Sequence, residues 1–321
     1  MNPGFSSKAS AVTRNPGALY QLVILLATLM AAGVAHAHAI VGMRVFPGTF
    51  TFSDPGVTDE LDLIGSHATV APAPGTSSVD TSEFSLNYSK TITPRFGLSL
   101  GTDYQYLQPS PGPHLDGMDD VTVGASYLLW KNDRQETLVT GGLNATVGSS
   151  GSQAIGASYT TYSPNLLFGR GLGDLPGALR YLRPLAVTGV VAPNITSQAG
   201  IPNTLTWGLS VQYSLPYLQS FVRDIGLRAP FNKMVPLVEL PMQTCTSGPC
   251  AGQTIGTINP GVIWIGYYGQ VGLEAAIPVN NASGHGVGVL LGVGFYFDDM
   301  YPHTLGAPLF GAHPMGVPRL G

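Results

Sequence analysis

The sequence predicts an all-β fold, an antiparallel transmembrane β-barrel of about twelve strands. Three observations predict it. Apolar and small polar residues alternate with a period of two along many segments. Charged residues are scarce, 10% of 321 residues against roughly 25% in a typical soluble domain. The N-terminus has the make-up of an export signal.

The leader comes first. Lys8 and Arg14 supply a basic region without acidic residues. Residues 19–34 are apolar, broken by Tyr20, Gln21 and Thr28. Ala35-His36-Ala37 then fits a signal peptidase site. Residues 1–37 therefore read as a signal peptide, with cleavage after Ala37 or Ala39. An uncleaved anchor is the competing reading, and the apolar run falls short of the ~20 residues a span needs. Without residues 1–37 the chain keeps 12 basic and 18 acidic residues, net −6. That balance argues against nucleic-acid binding.

Residues 38–78 are expected to form either a lumen plug or the first strand. A twelfth strand is sought within 40–64, where apolar alternation meets the turn-like Ser53-Asp54-Pro55-Gly56. The barrel proper is expected over 79–297. Phe84, Leu86 and Tyr88 alternate with Ser85, Asn87 and Ser89. Phe96, Leu98 and Leu100 alternate with Gly97, Ser99 and Gly101. The same rhythm runs through 121–129 and 139–147. Side chains on a strand point to opposite faces in turn, so each run has one oily and one polar side. Further strands are expected at 158–170, 181–192, 204–215, 235–244, 254–266, 268–279 and 286–297. Loops rich in Gly, Ser, Pro and Asn at 108–118, 148–156, 193–203, 245–253 and 280–285 belong to the outer side. The inner side takes 93–94, 131–135, 266–269 and two longer links, 171–179 and 216–233, the last with room for a short helix. Residues 298–321 form a Pro/Gly-rich tail.

Two solvents could wet the oily side. A soluble sandwich would show Lys, Glu and Arg on its polar face. Here the polar positions are mostly Ser, Thr, Gly and Asn, which suit a confined lumen. The runs are about ten residues long, as a tilted membrane strand requires. Aromatics gather near their ends, at Tyr104, Tyr127, Trp130, Tyr213 and Trp264 among others, where a lipid–water boundary would hold them. The lipid face is read as Phe84, Leu86, Leu98, Trp207, Leu209, Val211, Val289 and Val293. The lumen face is read as Asn87, Ser99, Asp103, Thr140, Asn144, Ser210, Gln212 and Glu274.

The signal segment, the strand Glu83-Phe84-Ser85-Leu86-Asn87-Tyr88, the Gly-rich alternating strands and the end Gly294-Phe295-Tyr296-Phe297-Asp298-Asp299 together resemble the outer-membrane barrels grouped as the MetA-pathway of phenol degradation. The resemblance covers roughly residues 79–297. It implies passage of small, hydrophobic or aromatic molecules across a bacterial outer membrane. One departure is the stretch of 24 residues after Phe297, since many such barrels end on an aromatic residue of the last strand.

Lumen-lining candidates are Glu83, Asn87, Asp103, Asn144, Gln212, Glu239 and Glu274. The four carboxylates would bias a pore toward cations, or would pair with Arg95, Arg170 or Arg183 to brace the wall; pairing is the favoured reading, because an unpaired buried charge is costly. Cys245 and Cys250 are expected to form a disulfide in an oxidising compartment. Asp298 and Asp299 read as solvated charges beyond the last strand. Asp116, Asp119 and Asp120 do not fit an EF-hand spacing. A copper site at His38 with His67 or His114 has no other support. No cofactor or metal is expected. No H-E-x-x-H or P-loop occurs, and the G-x-S-x-G match Gly97-Leu98-Ser99-Leu100-Gly101 lies within an alternating strand run, so the chain reads as a channel rather than an enzyme. Its partners would be the bilayer, lipopolysaccharide and a small permeant. Two other readings stay open: a structural or adhesive barrel plugged by its own N-terminal segment, and a lipid-modifying enzyme with a Ser–His pair on one rim, using His114 or His285.

Overall fold

The structure, a computed structural model, describes residues 39–109 and 112–310. The leader, His38 and the last residues of the tail lie outside the described residues. A short hairpin comes first, β1 (Ala39–Val41) with β2 (Arg44–Phe46). The barrel strands then follow in chain order. They are β3 (Glu60–Val70), β4 (Val79–Thr93), β5 (Phe96–Gln108), β7 (Thr122–Asn132), β8 (Thr137–Thr146) and β9 (Thr161–Gly171), then β10 (Leu185–Thr196), β11 (Thr204–Tyr213), β12 (Met234–Cys245), β13 (Thr254–Ile265), β14 (Gly269–Pro278) and β15 (Gly284–Tyr296). A four-residue strand, β6 (Leu115–Met118), adds to the far end of β5. Each barrel strand runs antiparallel to its neighbours, and β15 closes the ring on β3, from Tyr296 opposite Glu60 to Gly284 opposite Val70.

Alternation explains why these segments became strands. On the outside Phe84, Leu86, Leu98, Leu209, Val211 and Val289 are exposed, between 38% and 50%. Trp207 and Val293 share that face and are half-buried, with Trp207 Nε1 donating to Thr244 Oγ1 at 3.0 Å. On the inside Thr140, Ser210, Gln212, Glu239 and Glu274 are buried. A closed ladder satisfies the backbone polar groups between strands, which hydrocarbon demands.

Three expected boundaries shift. The first barrel strand is Glu60–Val70, later than the stretch in which it was sought. The strand expected from Tyr181 begins at Leu185, because Gly177–Leu182 coils into a 3-10 turn between Pro176 and Pro184. The strand expected from Ser158 begins at Thr161. The long link before β12 contains helical turns at Leu215–Tyr217, Leu218–Val222 and Phe231–Lys233.

An even strand number brings both ends of the barrel chain to one rim. The tight turns at 94–95, 133–136 and 266–268 lie on that rim, which marks it as periplasmic. The tail turns back there. After the helical turn Phe297–Met300, Phe310 N–H donates to the Ile92 carbonyl at 2.8 Å. Lys90 Nζ donates to Asp59 at 2.7 Å and to the carbonyls of Leu305 and Ala307 at 2.8 and 2.7 Å. Asp298, expected to be solvated, is half-buried in this corner, and burial, with Asp299 and Asp59 nearby, pushes its carboxyl up to about 8.

At the opposite rim Cys245 and Cys250 are bonded. Asp120, Asp119 and Asp116 hold the loops there. Asp120 accepts backbone N–H groups from Ser150, Gly151 and Ala157 at 2.9, 2.8 and 2.7 Å. Asp119 accepts from Gln105 and Asp116 from the Tyr104 hydroxyl. Asp120→Ala leaves those N–H groups without their acceptor, at a cost of about 3 kcal/mol. The expected outcome is faster subtilisin cleavage within 148–157 while the barrel stays folded by heat-modifiable gel migration; unchanged cleavage would show that Asp120 does not tie the loop.

Candidate functional site

The lumen is the candidate site, and the chain before β3 enters it. Residues 47–58 rise from the periplasmic rim into the lumen and descend again. Three phenylalanines mark the course. Phe46 packs with Ala39, Val41, Leu138 and Ala186 at the rim. Phe50 packs with Leu237 and Ile263. Phe52 packs against Leu167, Val190 and Ala192 on β9 and β10. The Phe50 ring lies so close to Gly272 and Gly292 that a Cβ at either position would collide with it. Bare backbone on β14 and β15 is therefore the seat of this ring.

An anchor at the rim fixes the segment. Arg44 is 1% exposed and Glu136 is 3% exposed. Arg44 Nε donates to Glu136 Oε2 at 3.0 Å. Its other nitrogens donate to the carbonyls of Pro184 and Arg183, and its guanidinium lies over the Tyr217 ring, 4.2 Å from the centroid. Tyr217 donates its hydroxyl to Glu136 Oε1 at 2.9 Å. Burial and the Glu136 charge push that phenol up to about 12, so it stays a donor. The hairpin and three periplasmic turns thus meet on one carboxylate.

The sequence-derived residues fall on the inner face as follows. Glu83 accepts from Ser85 and from Gln105, at 3.0 and 3.2 Å, and Gln105 also donates to Asp119. Asp103 lies beside Glu83. Burial and the charges of Asp103 and Asp120 raise the Asp119 carboxyl, against the lowering effect of the Asp120 N–H. Asn87, Ser99 and Asn144 line a cavity of about 310 Å³ between residues 51–58 and the wall. Gln212 is buried beside Ser210. Glu239 and Glu274 lie deeper, behind the tip of the segment, where Thr51 donates to Glu239 Oε2 at 2.8 Å. A second cavity of about 310 Å³ lies on the other side of Phe52, against Ala68, Ile255, Ala276 and Leu290. A wider space of about 660 Å³ opens at the extracellular mouth, beside Tyr159, Ile201 and Cys250.

The arginine partners expected for these carboxylates are not the ones found. Arg170 pairs with Asp174, Arg183 donates to the Leu175 carbonyl, and Arg95 reaches the Leu129 carbonyl. All three sit at the periplasmic rim, and so do the other described lysines and arginines. The inner wall above the rim keeps its carboxylates without basic partners.

The described histidines are placed apart from the lumen. His114 stacks on Tyr106 near Asp116, and His285 lies opposite Thr69 beside a register shift in β15. A Ser–His pair does occur, at a different histidine. His67 Nδ1 is 2.9 Å from Ser82 Oγ, and His67 Nε2 is 3.7 Å from Asp80. These residues are on the outer face of β3 and β4. Among the described residues no three His, Cys, Asp or Glu side chains converge as a metal site.

No family model matches the chain, and no curated protein matches it. Solved structures are similar to it. A KdgM porin is 16% identical, with 74% of this chain and 99% of the porin covered and a TM-score of 0.43. The COG4313 outer membrane channel from Pseudomonas putida F1 is 14% identical, with 79% and 100% covered and a TM-score of 0.48. LpxR from Salmonella typhimurium is 9% identical, with 74% and 100% covered and a TM-score of 0.43. These likenesses are of fold. The closed twelve-strand ring with its apolar outer belt is a barrel of the bacterial outer membrane.

Arg44, Glu136, Phe50 and Phe52 escaped sequence reasoning. One signal was available, a lone arginine inside the apolar run Ala39-Ile40-Val41-Gly42-Met43-Arg44-Val45-Phe46. Arg44→Ala strands Glu136 as a buried, half-satisfied charge, and breaking such a pair costs about 3–5 kcal/mol. Subtilisin should then cut within 47–58 of the folded barrel at least tenfold faster. The double variant Arg44→Met, Glu136→Leu should recover part of that protection; equal protection in wild type and Arg44→Ala would dismiss the anchor.

Proposed function

We propose that the protein is a passive channel for small neutral or cationic molecules, narrowed by its own residues 47–58. The observation that supports this best is the division of charge. Carboxylates, amides and hydroxyls line the inner wall, and the described Lys and Arg residues sit at the periplasmic rim. In a lumen walled by protein and lipid, carboxylates without partners attract cations and repel anions. Phe50, Phe52, Leu167 and Val190 give the narrow part an apolar side, which suits a neutral aromatic permeant of the kind the MetA-pathway resemblance implies. The bilayer is the outer partner. Contact with lipopolysaccharide would run through Asp80, Asp116 and bridging cations, since the extracellular loops carry no Lys or Arg.

Planar-bilayer recording tests the reading. Wild type should show a small conductance selective for cations, read from the reversal potential in a KCl gradient. Glu83→Gln with Asp103→Asn should reduce that selectivity. Replacing 47–57 with Gly and Ser at the same length should raise conductance severalfold. The shorter replacement matters, because deleting all of 40–78 would also remove β3. A closed wild type that conducts once 47–57 is replaced favours the plugged structural barrel instead. Anion selectivity in wild type sinks the charge argument.

A second reading follows from the Ser82–His67 pair. A hydroxyl within hydrogen-bond reach of an imidazole, with a carboxylate beyond it, is the arrangement of an activated nucleophile. Its place on the outer face near the extracellular end of β3 would offer it to acyl esters in the outer leaflet. Labelling by a fluorophosphonate probe, lost in Ser82→Ala and in His67→Ala, is the outcome that favours it. No labelling of folded wild type removes it.

A further inference from the structure

Behind the tip of the plug lies a buried cluster that conduction does not use. Glu239, Asn259 and Glu274 come from three consecutive strands. Glu239 is the register partner of Asn259 across β12 and β13. Glu274 is the register partner of Gly261, and its side chain lies over that glycine, in space that any Cβ would fill. It thereby faces both Glu239 and Asn259. None of the three is more than 1% exposed. Thr51 donates to one Glu239 oxygen. The other Glu239 oxygen, both Glu274 oxygens and the Asn259 amide oxygen have no hydrogen bond of ordinary geometry. The described ion pairs involve neither glutamate.

Two carboxylates buried side by side without a counter-charge cannot both stay ionised in a folded wall. A single proton shared between them would neutralise one charge and occupy two oxygens. It would leave the second charge buried, with Thr49 and Thr51 of the plug facing Glu239 but no cation beside it, and the Asn259 amide oxygen unmet. One hard divalent cation neutralises both charges and takes all four oxygens. Carboxylates with a neutral amide oxygen are the donors Ca²⁺ prefers, in flexible geometry completed by water. The absence of His and Cys from the cluster argues against zinc or copper.

We propose that Glu239, Glu274 and Asn259 bind one Ca²⁺ ion, which fastens the plug tip to β12–β14 through Thr51. Only two carboxylates take part, so neutral oxygens complete the shell. The site does not depend on whether the barrel conducts.

The test uses the full chain in detergent, stripped with EDTA and dialysed. Equilibrium dialysis with radioactive calcium should find one ion per folded barrel. Glu274→Gln and Glu239→Gln should each weaken it more than tenfold, and Asp119→Asn, in the other lumen cluster, should leave it unchanged. Folding of every variant is checked by heat-modifiable migration. Subtilisin cleavage within 47–58 should be faster in EDTA than in calcium for wild type and indifferent to calcium for Glu274→Gln. No stoichiometric binding by folded wild type at millimolar calcium, or binding as tight in either Gln variant as in wild type, overturns the proposal and leaves the pair to protons. Neither readout measures current, so failure here is distinct from failure of the channel reading.

Discussion

Hydrocarbon cannot hydrogen-bond a peptide group, and the rest of the structure depends on that constraint. Each unpaired N–H or C=O facing lipid costs several kcal/mol, so a sheet in the bilayer must have no edge. The pairing of β15 with β3 removes the last two edges. Once the ring is closed, residues 39–59 have no free edge to join. They begin and end at the periplasmic rim with three phenylalanines to bury. The lumen is the protein surface within reach, and its glycines and short side chains leave room. A plug is thus what closure makes of an apolar segment placed before the first strand.

Two kinds of force hold that segment, and they do different jobs. Burying Phe46 and Phe50 contributes about 1.5–3 kcal/mol each and the partly buried Phe52 less, without much preference for where each ring sits. Arg44 with Glu136 adds little net stability, because desolvating both ions offsets most of their attraction. It contributes position. Its geometry is satisfied when the hairpin lies against the turns holding Glu136, Pro184 and Tyr217, and any slip strands a buried charge. Apolar burial supplies the driving force, and the ion pair selects one docking among several.

The ring was legible in the sequence because lipid imposes a local rule. Every second residue must be apolar, and runs such as Phe84-Ser85-Leu86 or Leu209-Ser210-Val211 obey it without reference to distant parts of the chain. The first barrel strand was harder. Its outer face starts with Leu61 and Leu63 and then turns to Gly65, His67 and Thr69, so the alternation fades halfway. Parity is also what singled out Glu239 and Glu274 as candidates. Their partners were not readable. Thr51 meets Glu239 across 188 residues, and Phe50 meets Gly292 in the last strand. A glycine in a strand looks the same whether it sits under a ring or over open space. The expectation of arginine partners failed for a related reason: charge balance over the whole chain does not say at which rim the basic residues collect.

For the channel proposed above, that collection at one rim would decide what kind of filter the lumen is. At about 10 Å, and with an effective dielectric of about 20–40, one carboxylate shifts the energy of a passing unit charge by roughly 1 kcal/mol. Glu83, Asp103 and Asp119 act together near the extracellular end, and no lysine or arginine lies there to cancel them. In the proposed channel an anion would meet that barrier before it reached the plug, and a neutral molecule would not feel it. Size would be decided later, where residues 47–58 narrow the path beside Phe52. Charge would then be the first filter and bulk the second, an order that follows from which rim holds the basic residues and which end the chain enters from.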